Sequence, residues 1–399
     1  MIAAFMTITL IGCNRNNEPK VVITEEITSE TPSSEEAETQ EPKAKDQPYW
    51  NVGLHDFCAD DNGNYYYIDE NDYCLMIFDA ETKAARPVCE KEDCDHLEMD
   101  CTAYIDPFMY CMNSLYYYDG YLYMVSRYDR RYCLIRMNTD GSSRKNVTTL
   151  GYEEQTGYEN IYNFAFCGEY IYYVERDFGT ITGDEYSNVL FRQPLYNGDY
   201  EVVVGLGDYE EGVPARVKAY GNNVYYLIGD YNEKTGTPEY SGLYIYNTDI
   251  AQSSMIAEGD ISDYAIDVSS QTMYVYTTRR GLYSISYGGE PVRITEASDD
   301  IPRQISWDGS YIYMSTYGNP SQETTEYIDI YSTDGELIRT VESDGWMTPE
   351  EVSYGDDRYM FATQDYTGIK VYVYYEKSDG IDNEAWSEID NWFLANEEN

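Results

Sequence analysis

The sequence predicts an all-β protein: a single β-propeller of seven blades, each about 40–55 residues long. Three observations lead there. A tyrosine-bearing strand motif recurs along most of the chain. A second alternating strand follows each copy. Helical periodicity is nearly absent before the C-terminal tail.

Tyrosine supplies 47 of 399 residues and is not scattered. It recurs in a motif of a turn residue followed by alternating tyrosine and aliphatic side chains, the pattern of a buried strand. The copies are GNYYYI (63–68), DGYLYMV (119–125), GEYIYYV (168–174), NNVYYLI (222–228), SQTMYVY (270–276), DGSYIYM (308–314) and DDRYMFA (356–362). Downstream strands such as LIRMNTDG (134–141) and LYIYNTD (243–249) run into turns of Asn, Asp, Thr and Gly. One such unit cannot bury both of its faces, whereas a ring of units can. Tyrosines at the same slot of every copy therefore read as packing between blades.

The tyrosines and phenylalanines of the longest hairpin connections are the candidate ligand contacts. These are Phe178 and Tyr186 in RDFGTITGDEYSN (176–188), and Tyr231 and Tyr240 in GDYNEKTGTPEYSG (229–242). Closure of the ring is expected through pairing of segment 49–62 with the last blade, which removes exposed edges. Residues 381–399 are expected to form a cap or a strand of the last blade.

The N-terminus reads as an export signal. Residues 1–12 are almost entirely apolar, too short to span a bilayer, and lead through Leu10-Ile11-Gly12 to Cys13. Residues 13–48 are rich in Glu, Ser, Thr and Pro and predict a disordered tether. Residues 49–380 are the propeller. With Cys13 as the lipidation site, the chain is expected on the extracellular face of the cytoplasmic membrane, held by its lipid anchor. The formal charge of −47 excludes nucleic acid as a partner, because that needs a basic patch.

The stretch CEKEDCDHLEMDC (89–101) matches no repeat position and reads as an insertion between the first two blades. Cys89, Cys94, His96 and Cys101 are three thiols and an imidazole, the ligand set of one structural zinc ion. A disulfide within the loop, with the remaining thiol paired elsewhere, for instance with Cys111, is the alternative. Cys74 and Cys133 occupy a slot that is Gly242 and Gly281 in later repeats, so they read as small buried residues. Cys58, Cys111 and Cys167 receive the same reading.

The signal with Cys13, the polar tether, the DGYLYMV…LIRMNTDGS repeats and the early PVCEKEDCDH insertion together resemble the exported propeller lipoproteins of Gram-positive anaerobes. Those proteins carry repeats of a domain of unknown function. The resemblance implies a fold and a Gram-positive type of envelope, but no reaction. No Gly-x-Ser-x-Gly elbow and no phosphate-binding glycine loop occurs, and two histidines leave little for a catalytic triad. The expected function is that of a non-catalytic surface lipoprotein whose propeller binds a protein or glycan ligand through loops at one mouth of the ring. The alternatives are a glycoside hydrolase or lyase using acids at the central channel, or a structural component of an envelope assembly.

Overall fold

The computed structural model describes residues 57–91, 93–108, 114–128, 131–150, 162–177, 187–196, 198–204, 213–232, 237–278, 280–287, 289–297, 301–317, 327–342, 352–366, 369–377 and 386–390. They form antiparallel meanders in a β-propeller arrangement. The first sheet runs β1 (Phe57–Ala59), β2 (Tyr65–Asp69), β3 (Cys74–Asp79), β4 (Ala84–Pro87). The second runs β5 (Tyr116–Tyr118), β6 (Tyr121–Tyr128), β7 (Arg131–Met137), β8 (Lys145–Leu150). The third runs β9 (Tyr162–Cys167), β10 (Tyr170–Asp177), β11 (Ser187–Pro194), β12 (Glu201–Val204). A seven-stranded sheet follows, from β13 (Val213–Tyr220), β14 (Asn223–Asn232), β15 (Thr237–Asn247) and β16 (Gln252–Asp267) to β17 (Thr272–Thr277), β18 (Gly281–Ser286) and β19 (Val292–Arg293). Then come β20 (Ile301–Trp307), β21 (Tyr311–Tyr317), β22 (Tyr327–Ser332), β23 (Leu337–Glu342). The last sheet is β24 (Tyr354–Gly355), β25 (Tyr359–Tyr366), β26 (Ile369–Glu376), β27 (Ser387–Glu388).

Five four-stranded blades are thus distinct, where the sequence predicts seven. The difference arises at β16. Its first part, Gln252–Ile261, pairs with β15, and its second part, Ile261–Asp267, pairs with β17. No hairpin interrupts it, so one ladder continues into the next.

The repeated tyrosines carry two functions in the fold. Their rings fill the space between sheets, and their hydroxyls tie one sheet to the next. Tyr116 donates to the Phe164 carbonyl of the third sheet at 2.7 Å and Tyr372 to the Ile68 carbonyl of the first sheet at 2.9 Å, while within the seven-stranded sheet Tyr264 of β16 donates to the Arg216 carbonyl of β13 at 2.6 Å. Others reach the aspartates that open the inner hairpins. Asp60 accepts the N–H groups of Asn62 and Asn64, both at 2.9 Å, and the Tyr66 hydroxyl at 3.0 Å. Asp356 accepts the N–H groups of Arg358 and Tyr359 and, from the first sheet, the Tyr65 hydroxyl at 2.7 Å. These are Asx-type turns whose second carboxylate oxygen is left for a tyrosine.

The first and last sheets meet face to face. Phe57 stacks on Phe361 with ring centroids 5.0 Å apart, and Tyr65 packs on Tyr354, Tyr359 and Phe361. Asn71 exchanges two hydrogen bonds with the Lys370 backbone, at 2.8 and 3.0 Å. The expected closure by strand pairing is not observed among the described residues. β1 pairs with β2, and the tail itself completes the last sheet through β27, which pairs with β26.

Asp69, 2 % exposed in the β2–β3 region, makes stability depend on pH. Burial pushes its carboxyl pKa up to about 6, against the hydrogen bonds from Asn71 that hold it down. The folded state therefore binds this proton more tightly than the unfolded chain, whose aspartates titrate near ~4. The contribution is favourable below that value and is lost as pH rises through about 6. Asp69→Asn keeps an acceptor for Asn71 and removes the titration. Between pH 4 and 7 the wild type should lose on the order of 2 kcal/mol relative to this variant, read as the difference between their urea midpoints.

Candidate metal centre

The insertion leaves β4 at Pro87 and returns to the first sheet after Cys101. Its return is fixed by backbone bonds. The Leu75 N–H donates to the Ala103 carbonyl at 2.8 Å, and the Ile105 N–H to that of Tyr73 at 2.7 Å. Cys74 and Tyr104 form an isolated antiparallel bridge between them. The second sheet holds the same segment from the other side. The Arg144 guanidinium donates to the carbonyls of Thr102 and Tyr104, and its Nε to that of Gly141 at 3.0 Å. Gly141 has φ of +74°, and a Cβ there would lie 2.1 Å from the Thr102 carbonyl oxygen. Only glycine allows this approach.

Cys89, Cys94, His96 and Cys101 converge in this frame. Their ligand atoms all lie within 4.8 Å of one another. The edge of a tetrahedron with metal–sulfur bonds of ~2.3 Å is about 3.8 Å, so the set needs only a small contraction to close on a metal ion. His96 Nδ1 already lies 3.4 Å from Cys101 Sγ. His96 adopts φ of +63°, a left-handed conformation that costs a non-glycine residue roughly 1–2 kcal/mol. That conformation directs the buried imidazole at the thiols.

Backbone N–H groups point at two of the sulfurs. Burial disfavours the Cys89 thiolate, but the Lys91 N–H and the Thr102 side chain outweigh it, and the net shift lowers the pKa. Cys101 accepts the Ala103 N–H at 3.3 Å, yet burial dominates and pushes its pKa up to about 12. Burial also lowers the His96 pKa, against the pull of Asp95, and so favours the neutral, ligating imidazole. A divalent cation here would relieve the cost of holding thiolates in a buried site.

The set is able to hold a metal ion, and no disulfide joins the described cysteines. A disulfide would need two sulfurs and no histidine, whereas here four ligating groups meet. Cys58, Cys74, Cys133 and Cys167 are buried, at 1 %, 0 %, 4 % and 3 % exposure, and none is joined in a disulfide, in line with their reading as small buried residues. Arg144 is the participant that sequence reasoning misses. Lys91 is the one cation within the insertion, and the fold adds this guanidinium from the second sheet beside Cys101 and Cys74.

Cys13, Phe178 and Tyr186 lie outside the described residues, as does Cys111. Tyr231 lies in β14, opposite Pro238 of β15. Tyr240 was expected on a projecting loop, but it belongs to β15, is 9 % exposed and packs in the core with Leu243 and Ile261. The hairpin stays paired out to Asn232 and Thr237, which draws Tyr240 into the sheet.

Fold and site together define a propeller bearing a Cys3His cluster between its first two blades. No protein-family model matches the chain, and no curated protein matches it in sequence. Solved structures do match in fold. A chain from a structural and mechanistic study of two prolyl endopeptidases is 11 % identical, with a TM-score of 0.53 over 87 % of this chain and 50 % of that one. The present chain thus spans half the length of that protein. A chain of the mitotic checkpoint complex is 9 % identical, with a TM-score of 0.51 over 88 % of this chain and 99 % of that one. At such identities the likeness shows the propeller fold alone.

Proposed function

We propose that this chain is an exported lipoprotein, lipidated at Cys13, whose propeller is a non-catalytic platform for a protein or glycan ligand of a Gram-positive type envelope. Its Cys3His cluster holds a structural Zn²⁺. We also read the seven-stranded sheet as two blades sharing β16, which gives seven blades in all. The observation that carries the reading is the closed ligand set. Cys89, Cys94, His96 and Cys101 provide four protein ligands and leave no position for a substrate, which is the pattern of structural rather than catalytic zinc. Among the described residues, the imidazole is committed to that set and the thiols outside it are buried in the core. Chemistry built on a thiol or an imidazole therefore has little to draw on among the described residues.

The test incubates the purified chain with immobilised envelope polysaccharides and envelope proteins. Saturable retention with no release of reducing ends or peptides is the expected result. Turnover of any of these materials would replace the platform by an enzyme.

A further inference from the structure

Two neighbouring sheets carry the same constellation, and one copy lacks a part. In the third sheet, Arg192 of β11 lies over the ring of Tyr170, 5.1 Å from its centroid, and its Nη1 donates to the Tyr246 hydroxyl at 3.1 Å. Its Nε and Nη2 are taken by the Glu201 carboxylate at 2.8 and 2.6 Å. Glu201 is the register partner of Arg192 across β11 and β12.

The second sheet repeats this. Arg136 of β7 lies over the ring of Tyr121 at 4.2 Å and beside that of Tyr196 at 5.3 Å, and its Nη1 donates to the Tyr196 hydroxyl at 3.1 Å. The register partner of Arg136 is Lys145 of β8. A cation thus stands where the other copy has its carboxylate. Among the described residues, no carboxylate pairs with Arg136 or Lys145. The site is open. Lys145 is exposed, Arg136 and Tyr121 are half-buried, and Tyr196 presents half of its surface to solvent. The hydroxyl of the fully buried Tyr123 lacks a hydrogen-bond partner and lies within the field of Arg136 and Tyr196.

We infer that Arg136 and Lys145, with Tyr121 and Tyr196, bind the carboxylate of an acidic glycan. Glu201 shows the geometry that carboxylate adopts, on the Nε and Nη2 side of the guanidinium. Charge-assisted bonds to an arginine fork are strong and directional. The exposed ring of Tyr196 offers the sugar an apolar face beside the carboxylate. The net charge of −47 repels a polyanion at long range, but salt screens that field beyond a Debye length of ~10 Å. Recognition is then decided by these few contacts. In a meander, the β5–β6 and β7–β8 turns share one edge of the ring. The site therefore lies at the edge opposite the long β10–β11 and β14–β15 hairpins. This inference rests on the platform reading and names its ligand class.

The experiment uses the full chain and isothermal titration with three probes: an oligogalacturonate, a neutral galacto-oligosaccharide of equal length and inorganic phosphate. The wild type should bind the oligogalacturonate at one site and prefer it over both other probes. Lys145→Glu rebuilds the self-neutralised pair of the third sheet and should weaken binding by about tenfold or more without loss of fold. Glu201→Lys should open the third-sheet copy and raise the stoichiometry from one to two. Equal binding of the neutral sugar, tighter binding of phosphate, unchanged affinity in Lys145→Glu, or no binding of oligogalacturonate would each overturn the inference. An envelope ligand that is retained equally by wild type and Lys145→Glu removes this site while leaving the platform. Loss of retention for every envelope material removes the platform itself.

Discussion

Cys94→Ser should release one zinc from the native protein and destabilise the first two blades by more than about 4 kcal/mol, the range of lost structural metals. Cys94 is the choice because it is the least buried of the three thiols, so its own packing contributes little. The effect should spread beyond the loop. Residues 102–105 are bonded to Leu75 of β3 and to Tyr73 just before it, and to the second sheet through Arg144. Losing the metal frees the strained His96 backbone and loosens the carbonyls that Arg144 grips. Native and denaturing mass spectrometry reads the metal, and chemical unfolding reads the stability. A native mass lower by two hydrogens, with no zinc, would mean that two of the thiols pair as a disulfide. An unchanged unfolding midpoint in Cys94→Ser would show that the centre bears no load.

The ligands of this centre are legible in the sequence because they lie within one short insertion. What holds them is not. Arg144 comes from the turn after β7 and is aimed by Gly141, and nothing near either residue announces a partner in another blade. The inner strands are legible because tyrosine alternation and turn residues agree at every copy. That β16 runs unbroken from the ladder with β15 into the ladder with β17 is hidden, because the strand motifs on either side of QSSMIAEGDISDYAID read as two separate units. The place of Tyr240 is hidden for a related reason: Pro238, Ser241 and Gly242 resemble a loop, yet cross-strand pairing with β14 overrides their low strand preference. The Arg136–Lys145 and Arg192–Glu201 contrast is visible in aligned repeats, but its meaning depends on the strand register.

Lys218→Met should destabilise the propeller by about 3–5 kcal/mol, because it strands a buried carboxylate. Lys218 is 2 % and Asp263 1 % exposed, and Nζ lies 3.2 Å from Oδ1. Nζ also donates to the Tyr264 carbonyl, and Asp263 Oδ2 accepts the Ile305 N–H at 2.8 Å. One ion pair thus links β13, β16 and β20. Strand alternation alone does not reveal it. The register slips between Ala215 and Lys218, where Arg216 adopts φ of +53°, and this bulge turns the lysine inward. Asp263→Asn keeps an acceptor for Ile305 while removing the charge. The Lys218→Met/Asp263→Asn double variant should therefore be more stable than Lys218→Met alone, the reverse of additive loss. A double-mutant cycle on urea midpoints measures this coupling. Additive costs would show that Lys218 acts through packing, with no dependence on the Asp263 charge. Recovery in the double variant would show that charge balance between inner strands, rather than the lysine itself, holds this part of the ring together.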